Sequence, residues 1–295
     1  MELSCFGSHL GWAVCVLALA LLLRARRKGS WHPGMSPTDL TGKTAIVTGA
    51  NCGIGKYVAL DLARRNARTI LACRSRERGQ AAVEEIQRAT GNPNVLLRIV
   101  DISSMASIRH FAKQIRQEEK RLDILVNNAG VTETMKGSAP ARIVNISSFR
   151  HVQGMANMKH LTGEERPKNF DQSYTSTKLM NVLFTNELAR RLQGTGVTAN
   201  SLNPGIVKTE IMRHFNWLTR LIFSIVSIFL MSAEEGAAST IYCAVSEEVA
   251  GITGKYFDSN CRLVLPSAAA RDLGLARKLW EASERVTGLA ESGRM

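Results

Sequence analysis

From Thr44 onward, short β-branched runs alternate with longer amphipathic stretches, and no other feature of the 295-residue chain limits its fold so sharply. Strands are expected at 44–48, 69–72, 95–100, 124–127, 142–147, 197–202 and 255–258. Helices are expected near 54–65, 77–89, 104–118, 174–193, 233–246 and 268–289. Repeated βα units of this kind close into an α/β, doubly wound parallel sheet with helices on both faces. Runs such as Ala45-Ile46-Val47 and Ile124-Leu125-Val126 are apolar throughout, as strands covered on both faces must be. The region 40–290 reads as a single domain, with no internal repeat.

One interval breaks the pattern. Measured from the start of one strand to the end of the next, the first three units take 29, 32 and 33 residues, but Ile124 to Ser147 takes 24. A βαβ unit normally needs about 30 residues or more. Only residues 131–141 are left to join the fourth and fifth strands, and Gly137, Ser138 and Pro140 disfavour a helix there. The domain is therefore expected to be shortened at 131–141, as a splice variant or truncated gene model would be, with sheet surface left bare and activity weak or absent.

The first strand runs into Thr48-Gly49-Ala50-Asn51-Cys52-Gly53-Ile54-Gly55 and then a helix. Glycines allow a tight turn, and a helix N-terminus offers free N–H groups to a pyrophosphate. A nucleoside triphosphate loop of similar spacing would need glycine at Ala50 and Ser or Thr at Tyr57. The second strand ends at Arg74 with no carboxylate, which points to the 2′-phosphate of NADP rather than the 2′-hydroxyl of NAD. Asp101 closes the third strand and can accept from an adenine amine. Asn127-Asn128-Ala129-Gly130 closes the fourth with small residues where a dinucleotide would cross, and Asn127 and Ala129 are the candidate contacts there.

Tyr174 and Lys178 are four residues apart at an expected helix start and share one face. An ammonium beside a phenol suits that phenol to give up and take back a proton, as carbonyl reduction requires. Ser147 and Ser148 follow the fifth strand, and a serine there could hold the reacting oxygen.

In Thr48-Gly49-x-x-x-Gly53-Ile54-Gly55, Asn127-Asn128-Ala129-Gly130, Ser148, Tyr174-x-x-x-Lys178 and Asn203-Pro204-Gly205 with Thr209, the chain resembles the short-chain dehydrogenase/reductase family. Leu71-Ala72-Cys73-Arg74-Ser75, Val182-Leu183-Phe184-Thr185, 191–198 and Gly254-Lys255-Tyr256-Phe257 are similar to membrane-anchored retinol dehydrogenases. The resemblance implies a Rossmann-type fold and NADP(H) held by Thr48, Gly49, Asn51, Gly53, Ile54, Gly55, Pro204, Gly205 and Thr209 along with the residues above. It implies Tyr174 as proton donor, Lys178 on the ribose and assisting the tyrosine, and Ser148 polarising the carbonyl. The substrate it implies is a retinoid or related lipid alcohol or aldehyde. In that family the fourth-to-fifth crossover carries a full helix, a catalytic asparagine and much of the dimer contact, none of which is visible here. A catalytically impaired variant that binds cofactor or partners at the membrane is the alternative.

From Cys5 to Leu23 no residue carries a formal charge, and Arg24, Arg26, Arg27 and Lys28 follow at once. That length spans a bilayer, and basic residues after rather than before the apolar run favour an uncleaved anchor with the domain in the cytosol. Residues 1–28 are thus expected as a transmembrane anchor with its basic flank and 29–39 as a linker. The expected location is the endoplasmic reticulum membrane, with a mitochondrial membrane as the alternative. The largely apolar 215–231, where the family carries its substrate lid, agrees with a lipid substrate; a core helix is the other reading.

The net charge of +13 favours anionic partners without choosing among them. No recognisable module accompanies the arginine runs, so no nucleic acid is expected. Six scattered cysteines without a C-x-x-C pair read as free thiols. His9, His32, His110, His151, His160 and His214 lack metal-ligand spacing, so they read as surface or structural residues. Asn145-Ile146-Ser147 has the form of a glycosylation sequon, but it sits on an expected buried strand. Self-association is left open.

Overall fold

A computed structural model describes residues 31–126, 135–207 and 231–289. The expected anchor at 1–28, Asn127, Ala129, Thr209 and all of 215–231 but Met231 lie outside them. Among the described residues no helix is long and apolar enough to cross a membrane.

The chain runs β1 (Thr44–Thr48), α1 (Gly53–Arg64), β2 (Arg68–Cys73), α2 (Arg76–Thr90), β3 (Val95–Ile99), α3 (Met105–Glu118), β4 (Ile124–Val126) and β5 (Ala141–Ile146). It continues through a 3-10 turn (Phe149–Gln153), α4 (Met158–Thr162), α5 (Phe170–Arg191), β6 (Val197–Leu202), α6 (Ala233–Val245), β7 (Tyr256–Phe257), β8 (Leu263–Val264) and α7 (Leu273–Thr287). The strands form one sheet in the order β3-β2-β1-β4-β5-β6-β7-β8, parallel except for the β7–β8 pair. The chain winds outward from β1 to β3, then returns to pair β4 with β1, Ala45 opposite Ile124. Between β1 and β4 lies the point of strand-order reversal, where α/β sheets bind ligands beyond their carboxyl ends.

Each face has its own core. Val58, Leu62, Val83, Ile86 and Ile241 from α1, α2 and α6 cover one side. On the other, Phe111 and Ile115 of α3 and Leu188 of α5 meet Ile46, Ile70, Leu125 and Ile143 of the sheet. All five residues of β1 are buried, as its unbroken apolar run requires. Leu179, Val182 and Leu183 of α5 pack outward on Ala276 and Leu279 of α7.

Two helix starts need correction. Helix α5 begins at Phe170, not Tyr174, because Asn169 caps it: its side chain accepts from the Gln172 N–H. Tyr174 therefore sits in the second turn. Helix α7 begins at Leu273, five residues later than expected, under an Asp272 cap that accepts from the Leu275 N–H.

The short connection does join β4 to its parallel neighbour β5, with Leu125 opposite Ile143. The sheet beneath is not bare among the described residues: Leu125 is 2% exposed and Ile143 3%. Met135, within the connection, is fully buried in the same cluster as Phe111 and Leu122. The Ser138 hydroxyl accepts from the Leu122 N–H at 2.8 Å and stitches the connection to the chain entering β4.

Candidate active site

The turn after β1 is built to receive an anion. Gly49 and Gly53 adopt left-handed backbone (φ 63° and 57°), which favours glycine. A Cβ on Gly55 would stand 2.8 Å from the Gly49 carbonyl oxygen, so the helix can approach the strand this closely only without a side chain. Helix α1 starts behind Cys52, whose side chain makes no capping bond, and its first turn holds no acidic residue. The initial N–H groups are thereby left for a ligand, and the helix dipole favours a negative one. Thr48, Asn51 and Ile54 belong to the same turn. A pyrophosphate fits this cradle.

Arg74 follows the last residue of β2 and is exposed. The Gly49 N–H donates to the Ala72 carbonyl at 2.8 Å, which sets the end of β2 directly beside the glycine turn. Asp101 lies two residues beyond β3. Its Oδ1 accepts from both the N–H and the hydroxyl of Ser103, and these bonds, with a smaller contribution from the Arg74 charge, hold its carboxyl below the usual range.

At the reacting end, α5 lies against β5. The Lys178 Nζ donates to the Ile146 carbonyl at 3.3 Å and stands 5.6 Å from the Tyr174 ring centroid. Burial lowers the lysine's affinity for its proton. The Phe170 ring stacks on Tyr174 at 6.4 Å between centroids. Asn181, which sequence reasoning missed, donates to that same Ile146 carbonyl at 3.0 Å. It stands three residues after Lys178, and that helical spacing was the available signal.

The two serines part company. The Ser147 hydroxyl donates to the Lys178 carbonyl at 2.7 Å, so its proton is spent on joining β5 to α5. The Ser148 Oγ instead accepts from the Arg150 N–H at 3.2 Å, which leaves its own proton free to donate. Arg150 also forms an ion pair with Asp171 at 2.6 Å and ties the segment after Ser148 to the start of α5. Gly154 completes that contact: a Cβ there would collide with the Thr175 carbonyl oxygen.

Pro204 and Gly205 follow β6, with the Gly205 N–H donating to the Asn203 side chain at 3.0 Å and φ at 88°. A Cβ on Gly205 would meet the Met231 sulfur at 2.6 Å. Asn145 of the sequon is 1% exposed and donates to the Thr185 hydroxyl, so it is structural.

A family model described as short chain dehydrogenase matches residues 43–139 and 131–217. Human retinol dehydrogenase 11 is 41% identical over a match of 284 positions, covering 86% of this chain and 88% of its own. Human retinol dehydrogenase 13 is 40% identical over 309, covering 93% and 92%. A solved protein of Mycobacterium paratuberculosis shares the fold with a TM-score of 0.68 at 27% identity, over 88% of this chain and 98% of that one. With a glycine turn at the strand-order reversal and a tyrosine and lysine on the helix that packs against β5, the chain belongs to the short-chain dehydrogenase family, oxidoreductases that act on CH–OH groups with a nicotinamide cofactor.

Proposed function

We propose that this chain interconverts a retinoid or related lipid alcohol and its carbonyl form with NADP(H), anchored to a membrane by residues 1–28. The observation that carries the reading is the bracing of α5 on β5 through Lys178 and Ile146, which sets the Lys178 amine 5.6 Å from the Tyr174 ring centroid. The cradle of Gly49, Asn51, Gly53 and Gly55 would take the pyrophosphate, and Arg74 the 2′-phosphate. Lys178, Asn127, Ala129, Pro204, Gly205 and Thr209 are assigned to the rest of the cofactor, and Asp101 to its adenine. A bound nicotinamide supplies or takes up hydride. For reduction, Ser148 donates a hydrogen bond to the substrate carbonyl oxygen and Tyr174 delivers its hydroxyl proton to the same atom. Lys178 stabilises the phenolate left behind. For oxidation the proton returns along the same path. The relatives' names support the retinoid, and the apolar 215–231 supports a lipid substrate. The basic flank at 24–28 supports a domain facing the cytosol, with the endoplasmic reticulum as the proposed membrane.

A second reading has its own observation. Of this chain, 86% is about 254 residues, yet the match to human retinol dehydrogenase 11 spans 284 positions, so roughly 30 of them face no residue here. That is about one crossover unit, and together with the 24-residue interval from Ile124 to Ser147 it supports a chain shortened between β4 and β5 and slowed in turnover. Retinal reduction by purified chain with NADPH decides between the readings. Turnover at the rate of a full-length relative, abolished by Tyr174→Phe, is expected under the first. Tight NADPH binding with turnover at least about 100-fold slower supports the second, because acid–base positioning contributes on that scale. A Tyr174→Phe variant as active as the unmodified chain removes the mechanism.

A further inference from the structure

His151 lies three residues beyond Ser148, is 3% exposed, and both of its ring nitrogens are engaged. Nδ1 is 2.7 Å from the Ser148 carbonyl oxygen, and Nε2 is 3.1 Å from the Ser267 backbone nitrogen, which donates to it. A carbonyl accepts only and an N–H donates only, so the two contacts admit one state of the ring: neutral, with its proton on Nδ1. The Ser148 carbonyl also accepts from the His151 backbone N–H at 3.1 Å. Two donors from one residue thus hold that peptide plane, and Ser148 is fixed in extended backbone (φ −158°, ψ 154°) with its Oγ on the Arg150 N–H.

The ring is itself held. It packs on Tyr256 of β7 with centroids 4.9 Å apart and planes at 59°. Ser267 belongs to the segment leading to α7, and Asn186 of α5 donates to the Ala270 carbonyl at 2.9 Å, which fastens that segment to the helix carrying Tyr174. Burial disfavours the imidazolium, against a smaller opposing effect of the Ser148 bond.

We infer that His151 is a positioning residue: it locks the Ser148 peptide to the C-terminal segment and so aims the Ser148 hydroxyl at the substrate oxygen. The inference rests on the proposed oxidoreductase reading, since it is that reaction which needs Ser148 aimed. It assigns to a histidine without metal-ligand partners a role that separates into two halves, one at each nitrogen.

Side-chain geometry allows the halves to be tested separately. The amide nitrogen of asparagine reaches the place of Nδ1, whereas the amide oxygen of glutamine reaches that of Nε2. His151→Asn keeps the donor to Ser148 and loses the tie to Ser267; His151→Gln does the reverse. For retinal reduction by NADPH, kcat is expected within about threefold of the unmodified chain in His151→Asn and down about tenfold or more in His151→Gln, a misplacement effect of ordinary size. KM for NADPH is expected to stay within about twofold in both, because the misplaced group lies away from the cofactor cradle. Equal kcat in the two variants, or the opposite order, overturns the inference, since a role in stability alone would not follow the Nδ1 half. The second measurement needs no turnover: the ring ¹⁵N–¹H correlation lost in His151→Asn should show, in the unmodified chain at pH 7, a neutral ring protonated on Nδ1. A ring protonated on Nε2, or charged, overturns the inference even in an active enzyme. An unmodified chain that shows no turnover but the expected ring overturns the function reading, and the aiming role falls with it while the structural link stands.

Discussion

The connections entering and leaving β4 make opposite use of chain. From β3, the chain spends 14 residues on α3 alone and returns with Phe111 and Ile115 pressed on the sheet. From β4 to β5 only residues 127–140 are available, and of those described, Met135 is the buried apolar anchor and Ser138 the polar stitch. Both connections leave the strands parallel and the neighbouring sheet residues covered. Strand pairing and burial therefore survive a short crossover.

The sharpest way to break this comparison is chemical. If the half of the domain beyond the short connection is assembled as well as the half before it, Tyr174→Phe should lower kcat for retinal by about 10²–10⁴-fold, with NADPH binding kept. A loss of NADPH binding instead would mean that α5 is not held as β5 and Lys178 suggest. Met135→Ala comes next: a fully buried methionine truncated in place costs about 2–5 kcal/mol, readable as a lower urea midpoint. A change below about 0.5 kcal/mol would show that the connection carries no weight in the core. Gly55→Ala probes the half before the connection. Its new Cβ meets backbone rather than a flexible side chain, so a cost of about 1–3 kcal/mol and at least tenfold weaker NADPH binding are expected by calorimetry.

The smallest effect is electrostatic. Hydrogen bonds from Arg190 and Arg191 hold the buried Glu187 carboxyl down to about 2. A depressed carboxylate contributes stability above its unfolded pKa, near 4.3, that is lost as pH falls toward 2. Both arginines are partly exposed, so screening reduces the gain to roughly 1 kcal/mol. Glu187→Gln should therefore flatten the stability profile between pH 4.5 and 2 as followed by circular dichroism; an unchanged profile would remove the ion pair from the account.

Much of the fold is legible in the residues because its signals are local. Ala45-Ile46-Val47 must be covered on both faces, and a glycine-rich turn into a helix is readable wherever it occurs. The interval count marks 131–141 as short for a βαβ unit. Whether Leu125 and Ile143 stay bare depends on how α3, α5 and Met135 close over them, and no local pattern carries that distance. The start of α5 is legible in Asn169, a cap residue five positions before the chemically prominent Tyr174 that falls in the helix's second turn.

The residues alone determined the α/β class, the glycine-rich turn into a helix, the four-residue spacing of Tyr174 and Lys178 and the short interval between β4 and β5, because each is set by spacing along the chain. Only the tertiary structure separated Ser147 from Ser148. Adjacent in a strand end, they differ in what lies across from them: the Lys178 carbonyl takes the proton of one, and the Arg150 N–H leaves the other's free. The same holds for His151, whose two ring partners stand 3 and 116 residues away along the chain. Hydrogen-bond direction depends on what the fold brings opposite a group, and that is decided in space.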